Sequence, residues 1–176
     1  IFSSVSVYFF YLIAKKIFSS LKLSFIFTLF IIFTPGLIQS AHFGTTESIL
    51  IFVFAVNILL SFLIYDHPQK FFYLVLSGLI SGIGLATKIS AIILATPIFI
   101  SLLFSFIEHR FFKRFIFSSF LVLFVALFFS FIFSPYSLIK INDFISSMKY
   151  EIGVADGTIS VFYTRQFIKT IPYIFQ

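Results

Sequence analysis

FIFSSFLVLFVALFFSFIF, from Phe115 to Phe133, is nineteen residues without a single charge. A helix rises about 1.5 Å per residue, so this stretch reaches roughly 28 Å. The hydrocarbon core of a bilayer is about 30 Å thick. Lys113-Arg114 precedes the stretch, and Ser134-Pro135 ends it. It predicts a transmembrane helix.

Five more apolar runs lie upstream of it. They are Ile89 to Ile107, Phe71 to Ala86, Ile49 to Tyr65, Leu23 to Phe33, and Ile1 to about Ala14. The Leu23 run continues toward Ile38, across a break expected at Pro35-Gly36. The fold class is therefore all-α: a polytopic transmembrane helical bundle of about six spans, covering residues 1–135. From Tyr136 to Gln176 the composition changes. Seven of the 18 charged residues fall there. In that segment Leu138, Ile141, Ile145 and Met148 recur at helical spacing from Ser137 to Tyr150. The pattern predicts an amphipathic helix, either lying on the membrane surface or packed as a lid. Residues 136–176 are read as an extracytoplasmic segment.

Composition agrees. Of 176 residues, 60% are hydrophobic and only 10% are charged. A soluble domain is about 45–50% apolar and about 25% charged. This chain has too little polar surface for a soluble globule and too much apolar surface for disorder. There is no Cys, which removes disulfides, zinc fingers and thiol chemistry. The net charge of +6 is not a nucleic-acid signal, because basic residues in a membrane protein set topology. Lys15, Lys16, Lys22, Lys70, Arg110, Lys113 and Arg114 fall in alternate loops, which places those loops in the cytoplasm. Tyr11, Tyr65, Tyr73 and Tyr136 sit near span ends and fit an interfacial belt better than a set of sugar-stacking rings. Gly78-x-x-x-Gly82 is a face for close helix packing.

Polar residues gather at three places on the other face. The first is Gln39-Ser-Ala-His42-Phe-Gly-Thr45-Thr46-Glu47-Ser48. Thr45 or Thr46 could cap the next span, with Glu47 favouring the helix dipole. In the functional reading, His42 and Glu47 face a polar cavity. There Glu47 accepts hydrogen bonds from a substrate hydroxyl or helps hold a cation, and His42 contacts a phosphate. The second is Ala86-Thr87-Lys88, where Lys88 either snorkels to headgroups or meets a lipid-linked phosphate. The third is the tail. Its Arg165 is the best bidentate anion ligand on that face, or an ordinary solvated charge. No Gly-rich phosphate loop, H-E-x-x-H or G-x-S-x-G is present.

Four stretches in order carry a resemblance. They are Tyr11-Leu-Ile-Ala-Lys15-Lys16-Ile-Phe18; Thr34-Pro35-Gly36 through His42 to Glu47; Gly82-Ile-Gly84-Leu-Ala-Thr87-Lys88; and Ser134-Pro135-Tyr136 with Tyr150-Glu151, Tyr163-Thr-Arg165-Gln166 and Pro172-Tyr173. Together the chain resembles the integral-membrane glycosyltransferases of the GT-C superfamily. The nearest group is the protein O-mannosyltransferase-like and aminoarabinose transferase-like enzymes.

The resemblance implies transfer of a sugar from a polyprenyl-phosphate donor to a protein, lipid or glycan acceptor on the extracytoplasmic face of a bacterial or archaeal cell membrane. It implies that the main catalytic carboxylate lies in a first outer loop, upstream of residue 1, in which case the chain is an internal fragment and inactive alone. Glu47 matches the acidic position of the second outer loop and is the candidate catalytic residue. His42, Thr46, Lys88, Arg165 and Gln166 are the candidate substrate contacts. No cofactor is assigned. A divalent cation, Mg or Mn, is left open, because such enzymes vary in needing one. The expected partners are the lipid bilayer, the donor and the acceptor, with no nucleic acid. The competing reading is a secondary transporter or channel-type subunit, for which Asn57 and Pro97 are the midspan oddities.

Overall fold

A computed structural model describes residues 2–156. The chain divides into two compact units, Ile1–Ser134 and Pro135–Gln176. The first unit holds helices α1 (Phe2–Ile17), α2 (Leu21–Ile32), α3 (Pro35–Phe43), α4 (Glu47–Asp66), α5 (Phe71–Thr87), a 3-10 segment (Ile89–Ala95), α6 (Thr96–His109) and α7 (Phe112–Phe133). The second holds α8 (Tyr136–Ile139) and α9 (Ile141–Asp156). No strand occurs among the described residues.

The all-α membrane helical bundle is as expected, though not every apolar run is a full-length span. Among the described residues, three segments are long and apolar enough to cross a membrane: Glu47–Asp66, Ile89–Glu108 and Phe112–Phe133. A fourth arises if α2 and α3 count as one span, bent by 56°. The bend follows from Pro35, which cannot donate a backbone hydrogen bond and settles at the first turn of α3. Helix α5 has 17 residues and reaches only about 25 Å.

Helix α4 is the centre. Its Val53, Val56, Leu60 and Ile64 form the core with Leu74 and Ile80 of α5, Ile98 and Leu102 of α6, and Val122 of α7. Helices α5 and α7 touch through their backbones. A Cβ on Gly78 would lie 2.7 Å from the Val125 Cβ, and one on Gly82 would lie 2.7 Å from the Ala126 carbonyl oxygen. These glycines are a packing seam, as their spacing predicts.

The stretch that opened the sequence now reads in three dimensions. Val122 and Ala126 of α7 are buried. Phe120, Phe124 and Phe128 stack outward at 6.3 and 6.4 Å spacing and are 65%, 58% and 53% exposed. Bare rings in such a row need lipid tails around them, since water would exact about 25 cal/mol per Å² of exposed apolar surface.

The run from Ile89 to Ile107 is not a single helix. Residues Ile89–Ala95 wind as 3-10, and α6 starts at Thr96 with Pro97 in its first turn. Pro97 has no N–H for the Ile93 carbonyl, and the Thr96 hydroxyl bonds that carbonyl instead. Fully buried Asn57 donates its amide to the Leu94 carbonyl at 3.0 Å and to the Ser81 hydroxyl at 3.2 Å. The two midspan oddities are thus one device, which holds the non-helical turn against α4.

In the second unit the apolar spacing resolves into α8, a break at Lys140, and α9, which continues to Asp156. Phe144 and Met148 are half-buried, while Ile141 and Ile145 are exposed. Residues 157–176, with Arg165 and Gln166, lie outside the described residues.

Candidate functional site at one end of the bundle

The loops fall at two ends. At one end Lys16 pairs with Asp66, the Tyr65 hydroxyl donates to Glu108 at 3.1 Å, and the Arg114 guanidinium donates to the Pro68 carbonyl. These contacts tie together the α1–α2, α4–α5 and α6–α7 connections. The tyrosines near span ends meet charged groups. Lys15 lies 5.8 Å from the Tyr11 ring, Lys70 lies 5.6 Å from Tyr73, and Lys140 lies 5.2 Å from Tyr136. Such half-apolar, half-polar rings suit a membrane interface.

At the other end the α3–α4 turn meets the start of the 3-10 segment. Gly44, at φ +59°, closes α3 in the left-handed conformation that glycine tolerates. The Ser48 hydroxyl donates to the Ser40 carbonyl at 2.8 Å and pins the start of α4 to α3. Glu47 then stands exposed in the first turn of α4. Thr46 holds the cap position, yet its hydroxyl makes no cap bond. The expected threonine cap is absent because Thr46 has helical φ and ψ, and its hydroxyl points to the Glu47 carboxylate at 3.4 Å.

Lys88 reaches the same place from α5. Its backbone is extended, and its N–H bonds the Gly84 carbonyl. Gly84 lets the end of α5 close on its neighbours, since a Cβ there would lie 3.1 Å from Val53 and 3.3 Å from Ala91. The Lys88 charge acts on the Glu47 carboxylate. Among the described residues, though, the two ion pairs are Lys16–Asp66 and Lys140–Asp143. Glu47 and Lys88 therefore feel each other without closing into a bridge.

A groove of about 340 Å³ runs beside Glu47, lined by Ser40, Leu50, Phe54, Ser90 and Leu94 among others. His42 lines a different groove of about 440 Å³, together with Ser3, Ser6 and Phe10 of α1. Ile51 borders both grooves. The single polar cavity expected for His42 and Glu47 is thus two mostly apolar grooves. The turn at Gly44 sends the two side chains to either side of Ile51.

Sequence reasoning missed Ser90 and the 3-10 segment. The available signal was Thr96-Pro97, a helix start inside an apolar run. No group of three or more His, Asp or Glu side chains gathers among the described residues.

The arrangement is a membrane bundle with a carboxylate, an ammonium group that does not bridge to it, and apolar grooves at one end, and it has a match. A family model described as dolichyl-phosphate-mannose-protein mannosyltransferase matches residues 1–136. The chain belongs to that family. Searches of curated proteins and of solved structures found no match. Membership bears out the resemblance to the GT-C glycosyltransferases; the matched residues take in the first three stretches and reach Tyr136 of the fourth. It favours a membrane glycosyltransferase of the mannosyltransferase-like kind over the transporter reading. The matched span includes Glu47, Thr46, His42 and Lys88.

Proposed function

We propose that this chain is part of an enzyme that moves a sugar from a polyprenyl-phosphate donor to an acceptor hydroxyl at the extracytoplasmic surface. The Glu47–Lys88 end is the transfer end. The observation that carries the reading is an unpaired carboxylate and an unpaired ammonium sharing one end of a membrane bundle, beside an apolar groove. A lipid-linked sugar phosphate has the matching parts: an apolar tail, an anion and hydroxyls.

In this reaction the acceptor oxygen bonds to the anomeric carbon. The bond from that carbon to the donor phosphate oxygen breaks, and the electron pair leaves with the phosphate. The acceptor's proton goes to a carboxylate. Lys88 balances the negative charge that grows on the departing phosphate. Glu47 accepts a hydrogen bond from a sugar or acceptor hydroxyl, with Thr46 orienting it. His42, which lines the neighbouring groove, and Arg165 and Gln166 in the tail are further contacts for the donor phosphate or acceptor. One carboxylate beside a lysine is a poor site for a divalent cation, so no step is assigned to a metal.

The test is Glu47→Ala in the full-length protein, assayed for transfer from a polyprenyl-phosphate-linked sugar. We expect at least a tenfold fall, about 1.4 kcal/mol or more of transition-state stabilisation, with unchanged expression. Unchanged transfer removes Glu47 from the site.

A further inference from the structure

The opposite end of the bundle carries a second, unrelated feature. Helix α6 ends at Arg110 in a left-handed conformation, φ 55°. The chain then turns through Phe111 into α7. This short turn presents Arg110, Lys113 and Arg114. With Gln69, Phe111 and Phe112 they line an open surface groove of about 610 Å³.

Among the described residues, no carboxylate lines that groove. The nearby acids are engaged elsewhere, Glu108 by the Tyr65 hydroxyl and Asp66 by Lys16. Arg114 is anchored on the Pro68 carbonyl, which leaves other guanidinium N–H groups free. Arg110 and Lys113 have no ion pair or side-chain hydrogen bond among the described residues. Three clustered cations without a counter-charge repel one another unless an anion joins them. The turn itself is held in shape. The Arg110 N–H bonds the Phe106 carbonyl at 2.7 Å, and the Phe106 ring packs on Phe112 and Phe115 at 5.7 and 5.5 Å.

We propose that the α6–α7 turn binds the headgroup of an anionic phospholipid. The cations take the phosphate, with Arg110 offering a planar fork. Phe111 and Phe112, 63% and 57% exposed, lie against the upper acyl chains. The rings are the reason to choose a lipid over a soluble anion. They flank the cations at the end of two membrane-crossing helices, where headgroup and chain meet. The site lies at the end away from Glu47 and Lys88, so its failure would leave the transfer reading untouched.

The 176 residues contain no Trp, so Phe111→Trp adds an indole at the turn, and its emission is read as the difference from the unmodified full-length protein. The full-length protein carrying it, in bilayers of brominated phosphatidylglycerol or brominated phosphatidylcholine, reports which lipid sits there. We expect quenching to favour the anionic lipid by about threefold or more. Arg110→Gln with Lys113→Gln should bring that ratio near one. An indole at the lipid-facing Phe124 should show a ratio near one throughout. Should Phe111→Trp fold poorly, Phe112→Trp serves as the reporter. A ratio of one at the turn overturns the proposal, as does a preference that survives the double substitution. Loss of the preference on adding inorganic phosphate also overturns it, because the site would then belong to a free anion.

Discussion

The two ends of the bundle treat their acids in opposite ways. At one end Lys16 and Asp66 pair, Tyr65 holds Glu108, and Arg114 grips the Pro68 carbonyl. At the other end Glu47 and Lys88 stay apart, and the connecting segment winds as 3-10 against α4. The first end fastens loops together. The second keeps charges available at a cost in local order. Charges left unpaired near a membrane are expensive, and that expense points to a ligand.

Breaking what both ends share should have the largest effect. Gly82→Val puts a side chain into the Ala126 carbonyl across the α5–α7 seam. We expect a loss of about 1–3 kcal/mol, read as a lower unfolding midpoint in detergent. Gly36→Val, where a Cβ meets nothing within 4 Å, should leave the midpoint in place.

Next comes the support beneath the open end. Asn57→Leu strands the part-buried Leu94 carbonyl, at a cost of about 1–2 kcal/mol. It should also loosen Ser90 beside Glu47 and lower transfer. Stability lost with full transfer retained would detach the 3-10 segment from the site.

Lys88→Ala should raise the KM for the lipid-linked donor several-fold, by about 1 kcal/mol of lost charge interaction, with little change for the acceptor. An equal change for both substrates would argue against a donor-phosphate contact. The smallest effect belongs to the fastened end. Lys16 and Asp66 are about a third exposed, and a double-mutant cycle on them should return only about 0.2–1 kcal/mol.

Local pattern made much of this legible. Length and apolarity gave the helices, Pro35 gave the bend, and Gly78-x-x-x-Gly82 gave the seam. Each is decided within a few residues. Thr96-Pro97 marks where the 3-10 segment ends, but its support was not legible, because Asn57 and Leu94 stand 37 residues apart in sequence and meet only once the helices pack. The separation of His42 from Glu47 was hidden for a similar reason. Five residues apart in sequence, they part at Gly44 and Ile51 only in three dimensions. The absent Thr46 cap turned on a φ and ψ that the sequence does not encode by itself.

The central claim is that transfer belongs to the Glu47 end and not to the fastened one. The direct measurement compares Glu47→Gln with Asp66→Asn in the full-length protein, side by side, for sugar transfer from a polyprenyl-phosphate donor. Each change removes one negative charge from one end of the same bundle. A fall of about tenfold or more for Glu47→Gln, with Asp66→Asn within about twofold of the unmodified protein, is the predicted result. Equal losses at the two ends, or a loss confined to Asp66→Asn, would contradict it.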